Sequence, residues 1–187
     1  MKHQIFEGIK IAEFAAIAAG PLIGKHMADH GATAVHVESH ERPDGFRQNY
    51  PPYKDNKPGI NRSGAFTICN NNKYGVTINL KAKGGVDLAK KLIAWADIVI
   101  ENFTPGTMKK LGLGYEDMQK VNPDIILLSS CNQGQTGPHA FHRDLAVGGV
   151  RARLLCSSLL RNADLKNRQG RRHRRRCQHG IWNPDSN

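Results

Sequence analysis

The stretch Gly8–Ser39, GIKIAEFAAIAAGPLIGKHMADHGATAVHVES, decides the fold. Residues 8–17 alternate apolar and polar side chains and carry β-branched Ile9 and Ile11, which predicts a strand. Small residues from Ala15 to Gly20 end it. Pro21 suits the first turn of a helix, where its missing N–H is not needed, and Leu22, Ile23, His26, Met27 and His30 then recur at helical spacing. Gly31 suits the C-terminal cap. The run ATAVHVES that follows predicts a second strand ending at Glu38. Strand, helix and strand within forty residues make a βαβ unit, whose two strands run parallel.

The same alternation continues downstream. Ser39–Asn61 is rich in Pro, Gly, Asn and charge, with Pro51 and Pro52 adjacent, and predicts a long loop without regular structure. Loops of that length in compact domains usually carry function. Residues 64–69 resume an apolar segment, the polar cluster Asn70–Lys73 interrupts it, and Tyr74–Leu80 predicts a third strand. Lys83–Ala96 has the pattern of an amphipathic helix, with Val86, Leu88, Ala89, Leu92, Ile93 and Trp95 as its apolar side. Ala96–Ile100 predicts a short buried strand, Glu101–Gly106 a turn into a short helix, Tyr115–Val121 another helix and Asp124–Ser130 a further strand. The whole predicts an α/β fold, a parallel sheet with helices on both faces.

Composition narrows the function. The chain has 187 residues with a net charge of +11 and a mean hydropathy of −0.51. Residues 1–150 carry 17 of the Lys and Arg and 14 of the Asp and Glu, whereas 151–187 carry 10 basic and 2 acidic residues, 9 of the 10 being Arg. The basicity therefore belongs to the last stretch, RQGRRHRRRCQHG above all, and nucleic-acid binding by the first 150 residues is not expected. No apolar run approaches a membrane span, and the amino terminus lacks the layout of a secretory signal, so a cytoplasmic protein is expected. Cys69, Cys131, Cys156 and Cys177 form no C-x-x-C pair and the histidines are scattered, so no metal site is predicted.

In an open parallel sheet ligands bind beyond the carboxyl ends of the strands. Ala15–Pro21, Glu38–Arg42, Asn70–Lys73 with Asn102–Gly106, and Cys131–Pro138 are the segments that matter on that rule. Each is also an acceptable tight βα turn with no ligand. A dinucleotide site with Glu38 on a ribose is disfavoured, because Ala16-Ile17-Ala18-Ala19-Gly20-Pro21 lacks the first two glycines of the G-x-G-x-x-G fingerprint.

Seven pieces, in order, resemble the amino-terminal part of the class III CoA-transferases, the CaiB/BaiF family that includes formyl-CoA transferase. They are Gly8–Phe14 with Ala19-Gly20-Pro21; Gly31-Ala32 with Val35–Glu38; Asn70–Lys73; Ala96–Gly106; Leu111-Gly112 with Tyr115; Asn122-Pro123; and Gly134-Gln135-Thr136-Gly137-Pro138. The resemblance implies a Rossmann-like domain and an enzyme that moves CoA from an acyl-CoA to a small carboxylic acid through an aspartyl-CoA intermediate, without a metal. It implies an interlocked dimer or related heteromer for full-length members, an assembly not expected of this stretch alone.

Carried over by position, Ala18 and Ala19 would line the adenine and pantetheine side. Asn70, Asn71, Asn72 and Lys73, with Asn102, Phe103 and Thr104, would contact the nucleotide. Lys110 falls where the family often has a phosphate-binding Arg, and the loop opening with Cys131 and Asn132 would border the thioester. Ser39 stands where formyl-CoA transferase has an Arg against a CoA phosphate, which leaves that contact to His40 or Arg42. The family's nucleophilic Asp would fall in the stretch that holds Asp164 and Asp185. Neither has supporting context, so no catalytic residue is nominated. The family order breaks near His142 or Arg143. The expected organisation is a CoA-binding α/β part over residues 1–143 and an Arg-rich tail over 144–187, out of frame or disordered. The alternatives are an anion or nucleic-acid binder acting through that tail and a non-catalytic CoA-binding subunit.

Overall fold

The structure, a computed structural model, describes residues 4–131 and 134–136. Five strands, β1 (Lys10–Phe14), β2 (Thr33–Glu38), β3 (Lys73–Thr77), β4 (Ile98–Glu101) and β5 (Ile126–Ser129), form one sheet in the order β3-β2-β1-β4-β5. All four pairings are parallel. The chain winds outward from β1 through β2 to β3, then returns to the other side of β1 for β4 and β5. That reversal places a topological switch point between the carboxyl ends of β1 and β4.

Alternation along β1 sends its side chains to two cores. Ala12 and Phe14 join Val99 on one face, where α3 (Gly85–Trp95) contributes Ala89 and Ile93 and α5 (Tyr115–Val121) contributes Met118. Ile11 and Ala15 join Ala34 and Ile100 on the other, under Ile23, Met27 and Ala28 of α1 (Ala19–Asp29). The sheet is therefore covered on both faces, and α2 (Gly64–Asn70) packs beside α1. Gly31 takes φ 107° just after α1, as a glycine beyond a helix end should.

Three features differ from the sequence pattern. Ser39–Asn61 holds two single 3₁₀ turns, Gly45–Arg47 and Lys54–Asn56, because Asp44 caps the first by accepting the Phe46 N–H at 2.7 Å. The third strand stops at Thr77 rather than Leu80, and Ile78–Lys81 leave the sheet. Leu88 is 48% exposed on α3 instead of lying on its packed side. The Arg-rich stretch 144–187 lies outside the described residues.

The face of β1 under α1 also carries a buried carboxylate. Glu13 is fully buried; the Lys73 ammonium sits 2.9 Å from both of its oxygens, and His36 Nδ1 lies 2.6 Å from Oε1. Lys73 also donates to the Pro21 carbonyl at 2.7 Å and to Asn70 Oδ1 at 3.0 Å. Burial lowers the Lys73 pKa while Glu13 opposes that shift. Gly24 makes room for the group, since a Cβ there would fall 1.8 Å from Glu13 Oε2.

Candidate functional site

A crevice of about 410 Å³ opens at the carboxyl edge of the sheet. Its apolar floor comes from Phe14 and Ala15 at the end of β1, Ile78 and Leu80 after β3, Phe103 after β4, and Leu111 beyond α4 (Thr107–Lys110). Its rim carries Ser39, Glu41 and Arg42 from the loop after β2 and Lys81 from the loop after β3. Among the described residues the side chains of Arg42 and Lys81 have no ion-pair partner, so both cations are available to an anion. An apolar floor with convergent charges is the usual make-up of a small-molecule site.

Two side chains fix the β1 turn against this crevice. Asn102, just after β4, accepts the Ala16 N–H at 3.0 Å and donates to the Ala16 carbonyl at 2.7 Å. Asp44 accepts the Ile17 N–H at 2.9 Å. Gly20 lets α1 begin directly against the turn, because a Cβ there would lie 2.3 Å from that of Ala15.

The wall formed by the loop after β2 is built on Glu38. Arg47 Nε reaches Glu38 Oε2 at 2.8 Å and its Nη2 reaches Oε1 at 2.6 Å, while the Asp44 N–H donates to Oε2 at 2.9 Å. Arg47 also stacks 3.6 Å above the Phe66 ring of α2. Burial is the largest single influence on Glu38 and raises its pKa, but the hydrogen bonds from Arg47 and the Asp44 N–H, with the positive charge beside it, together outweigh burial and hold the carboxylate below the ordinary range. With its oxygens held by Arg47, Glu38 is not disposed to bind a ribose. Burial dominates at Asp44 and pushes its pKa up. Among the described residues His36 Nε2, buried at the base of this wall, has no hydrogen-bond partner and stands 3.6 Å from Glu38 Oε1 and 3.9 Å from Asp44 Oδ2. On the β4 side, Glu101 accepts the Phe103 N–H at 2.8 Å and the Ser129 hydroxyl, and burial raises its pKa.

The residues singled out from sequence divide between two ends of the sheet. Phe103 lines the crevice, Asn102 holds its turn, and Ala18 and Ala19 follow that turn at the start of α1. Thr104 is exposed beside it, and Lys110 is exposed on α4, whose Thr107 faces the crevice instead. Cys131 is half-buried after β5, and Asn132 lies outside the described residues. Asn70, Asn71 and Asn72 precede β3 and Lys73 opens it, so a parallel sheet puts all four at its amino edge, away from the crevice. There Lys73 neutralises Glu13, Asn70 holds Lys73, and Asn72 donates to Asp29 at 2.6 Å. Ile78–Lys81 reach the crevice in their place. The signal for them in the sequence was the end of the strand pattern, read three residues too late.

Comparison with known proteins agrees with this fold. The model of CoA-transferase family III matches residues 6–150, and the chain belongs to that family. It is 39% identical over 134 residues to a succinate–glutarate CoA-transferase of Agrobacterium fabrum, covering 71% of this chain and 34% of the relative. A succinyl-CoA–D-citramalate CoA-transferase of Chloroflexus aurantiacus is 34% identical over 152 residues, covering 78% of this chain and 36% of the relative. The crystal structure of a CaiB/BaiF family protein from Brucella suis superposes with a TM-score of 0.68 at 36% identity, covering 75% of this chain and 37% of that one. The chain spans about a third of the length of the relatives it matches. Among the described residues no helix is long and apolar enough to cross a membrane, and no cluster of His, Cys, Asp and Glu could hold a metal.

Proposed function

We propose that this chain is the CoA-binding part of a cytoplasmic enzyme that transfers CoA from an acyl-CoA to a short carboxylic acid. The observation that carries the reading is the crevice itself, with its apolar floor beyond β1 and β4 and the unpaired Arg42 and Lys81 on its rim. CoA is an amphipathic, multiply phosphorylated ligand. Its pantetheine arm matches an apolar floor, and its phosphates match two free cations. Relatives named for glutarate and D-citramalate support a dicarboxylate acceptor and succinyl-CoA as donor.

In the transfer, an Asp carboxylate attacks the thioester carbonyl and expels CoA thiolate, giving a mixed anhydride. The thiolate then attacks the aspartyl carbonyl of the anhydride, releasing the donor acid and leaving an aspartyl-CoA thioester. The acceptor carboxylate opens that thioester, and the returning thiolate captures the acceptor's acyl group. The last displacement frees the Asp, and splitting the transfer in this way keeps the activated acyl group from water. No described residue is assigned the nucleophile's role. The part played here is binding, and turnover by this stretch alone is not expected.

Calorimetric titration of the 187-residue chain with CoA tests the reading. Binding in the micromolar range, weakened about threefold to tenfold by Lys81→Ala and by Arg42→Ala, is the expected result. Binding untouched by both substitutions but falling steeply with salt would transfer it to the Arg-rich stretch 144–187, the behaviour of multiple Arg–phosphate contacts. No binding would remove the CoA assignment.

A further inference from the structure

Ile17 adopts φ 70°. Among the described residues the other non-glycine residues at positive φ are Asp55, Asn56, Asn61 and Asn72, types that tolerate this region, whereas a β-branched side chain there is strained. The strain must be held from outside the turn. Asn102 fixes the preceding Ala16, and Asp44 accepts the Ile17 N–H at 2.9 Å. Asp44 is well placed to hold it. Its side chain is fully buried, its second oxygen accepts the Phe46 N–H at 2.7 Å, and its own N–H is tied to Glu38 at 2.9 Å.

We propose that Asp44 is a positioning residue that latches the Ile17 turn in its left-handed conformation and so sets the Ala15–Ala16 floor of the crevice for ligand. The inference rests on the CoA reading for its ligand and on geometry alone for the latch. Without the carboxylate, Ile17 relaxes toward negative φ and rotates the peptide planes that lead from Ala16 into α1. The latch also joins two walls of the crevice. Asp44 belongs to the loop that carries Ser39 and Arg42, so a ligand seated on that loop and the β1 turn act on one hydrogen-bonded unit.

The test compares wild type, Asp44→Ala, Asp44→Asn and Asp44→Ala/Ile17→Gly in the full 187-residue chain, with amide hydrogen exchange at Ile17 and CoA affinity as readouts. In Asp44→Ala the Ile17 amide is expected to exchange at least about tenfold faster and CoA to bind about tenfold more weakly. Asp44→Asn keeps the shape and one acceptor for two N–H groups, so it falls between the two and serves if the alanine variant does not fold. Glycine takes φ 70° without strain, so adding Ile17→Gly to Asp44→Ala is expected to restore CoA affinity to within about threefold of wild type while the residue-17 amide stays unprotected. General loss of structure would not be rescued in this way. Unchanged exchange at Ile17 in both Asp44 variants overturns the latch. Weak CoA binding that persists in the double variant overturns its role in positioning. If the wild-type chain binds no CoA, the ligand assignment and the link to it fall together, and exchange at Ile17 still decides whether Asp44 holds the turn.

Discussion

Asn102 pairs with Ala16 as a neighbouring strand would, taking its N–H at 3.0 Å and giving to its carbonyl at 2.7 Å. The sheet ladder between β1 and β4 ends at Phe14 and Glu101, and the carboxamide extends it past the switch point. Asn102→Ala removes both partners of Ala16 and leaves the turn with Asp44 on the Ile17 N–H. Destabilisation of about 1–3 kcal/mol is expected in urea unfolding. Faster exchange of the Ala16 amide would accompany it, and an unchanged midpoint would show that solvent replaces the clamp at no cost.

The fold was legible because period-2 and helical patterns alternate cleanly, and because Pro21 and Gly31 mark both ends of α1. The site was only partly so. Asn102 and Phe103 stood out because they follow a strand, and a strand's end is visible in sequence. Asp44 and Arg47 were hidden inside a loop whose order depends on bonds to Glu38, residues apart in sequence and invisible to periodicity. Asn70–Lys73 look like ligand-binding polar residues, yet a polar run before a strand lies at the opposite edge from one after it. Lys73 in particular is polar for the sake of Glu13, sixty residues earlier, and no local pattern announces that pairing.

Breaking that pairing is costly because it strands a buried charge. Lys73→Met leaves the Glu13 carboxylate buried without its cation, and a cost of about 3–5 kcal/mol is expected. Adding Glu13→Gln removes the stranded charge while keeping an acceptor for His36, so the double variant should recover much of the loss. Chemical denaturation of wild type, Lys73→Met, Glu13→Gln and the double variant measures the coupling. A double variant as unstable as Lys73→Met would show that packing of the lysine stem, rather than charge, is what matters.

Glu101 gives a pH signature. Burial raises its carboxyl pKa in the folded chain, above the value it takes when unfolded. The unfolded chain then releases this proton first, so the contribution of Glu101 to stability is fully present below the ordinary glutamate pKa and is lost as pH rises through the raised value. Glu101→Gln does not titrate. The stability difference between wild type and Glu101→Gln should therefore shift in favour of the glutamine variant as pH rises from about 4 toward neutrality. Thermal unfolding at several pH values checks it, and a difference constant across that range would place the folded pKa at its ordinary value.

Two glycines separate close packing from mere absence of a side chain. A Cβ on Gly24 would enter the space of Glu13 Oε2, at 1.8 Å, and Glu13 cannot swing aside because Lys73 and His36 hold it. Gly75 sits on edge strand β3, with nothing within 4 Å of its Cβ position and no positive φ. Gly24→Ala must therefore either lift α1 from the sheet or break the Glu13–Lys73 contact, at a cost of about 1–3 kcal/mol. Gly75→Ala should be neutral or slightly stabilising, because it lowers the entropy of the unfolded chain by about 0.4–1 kcal/mol. Urea midpoints of the two variants give the comparison. Equal effects would mean that α1 accommodates a methyl group by a shift the buried ion pair tolerates, and the charged group beneath it would then be looser than its hydrogen bonds imply.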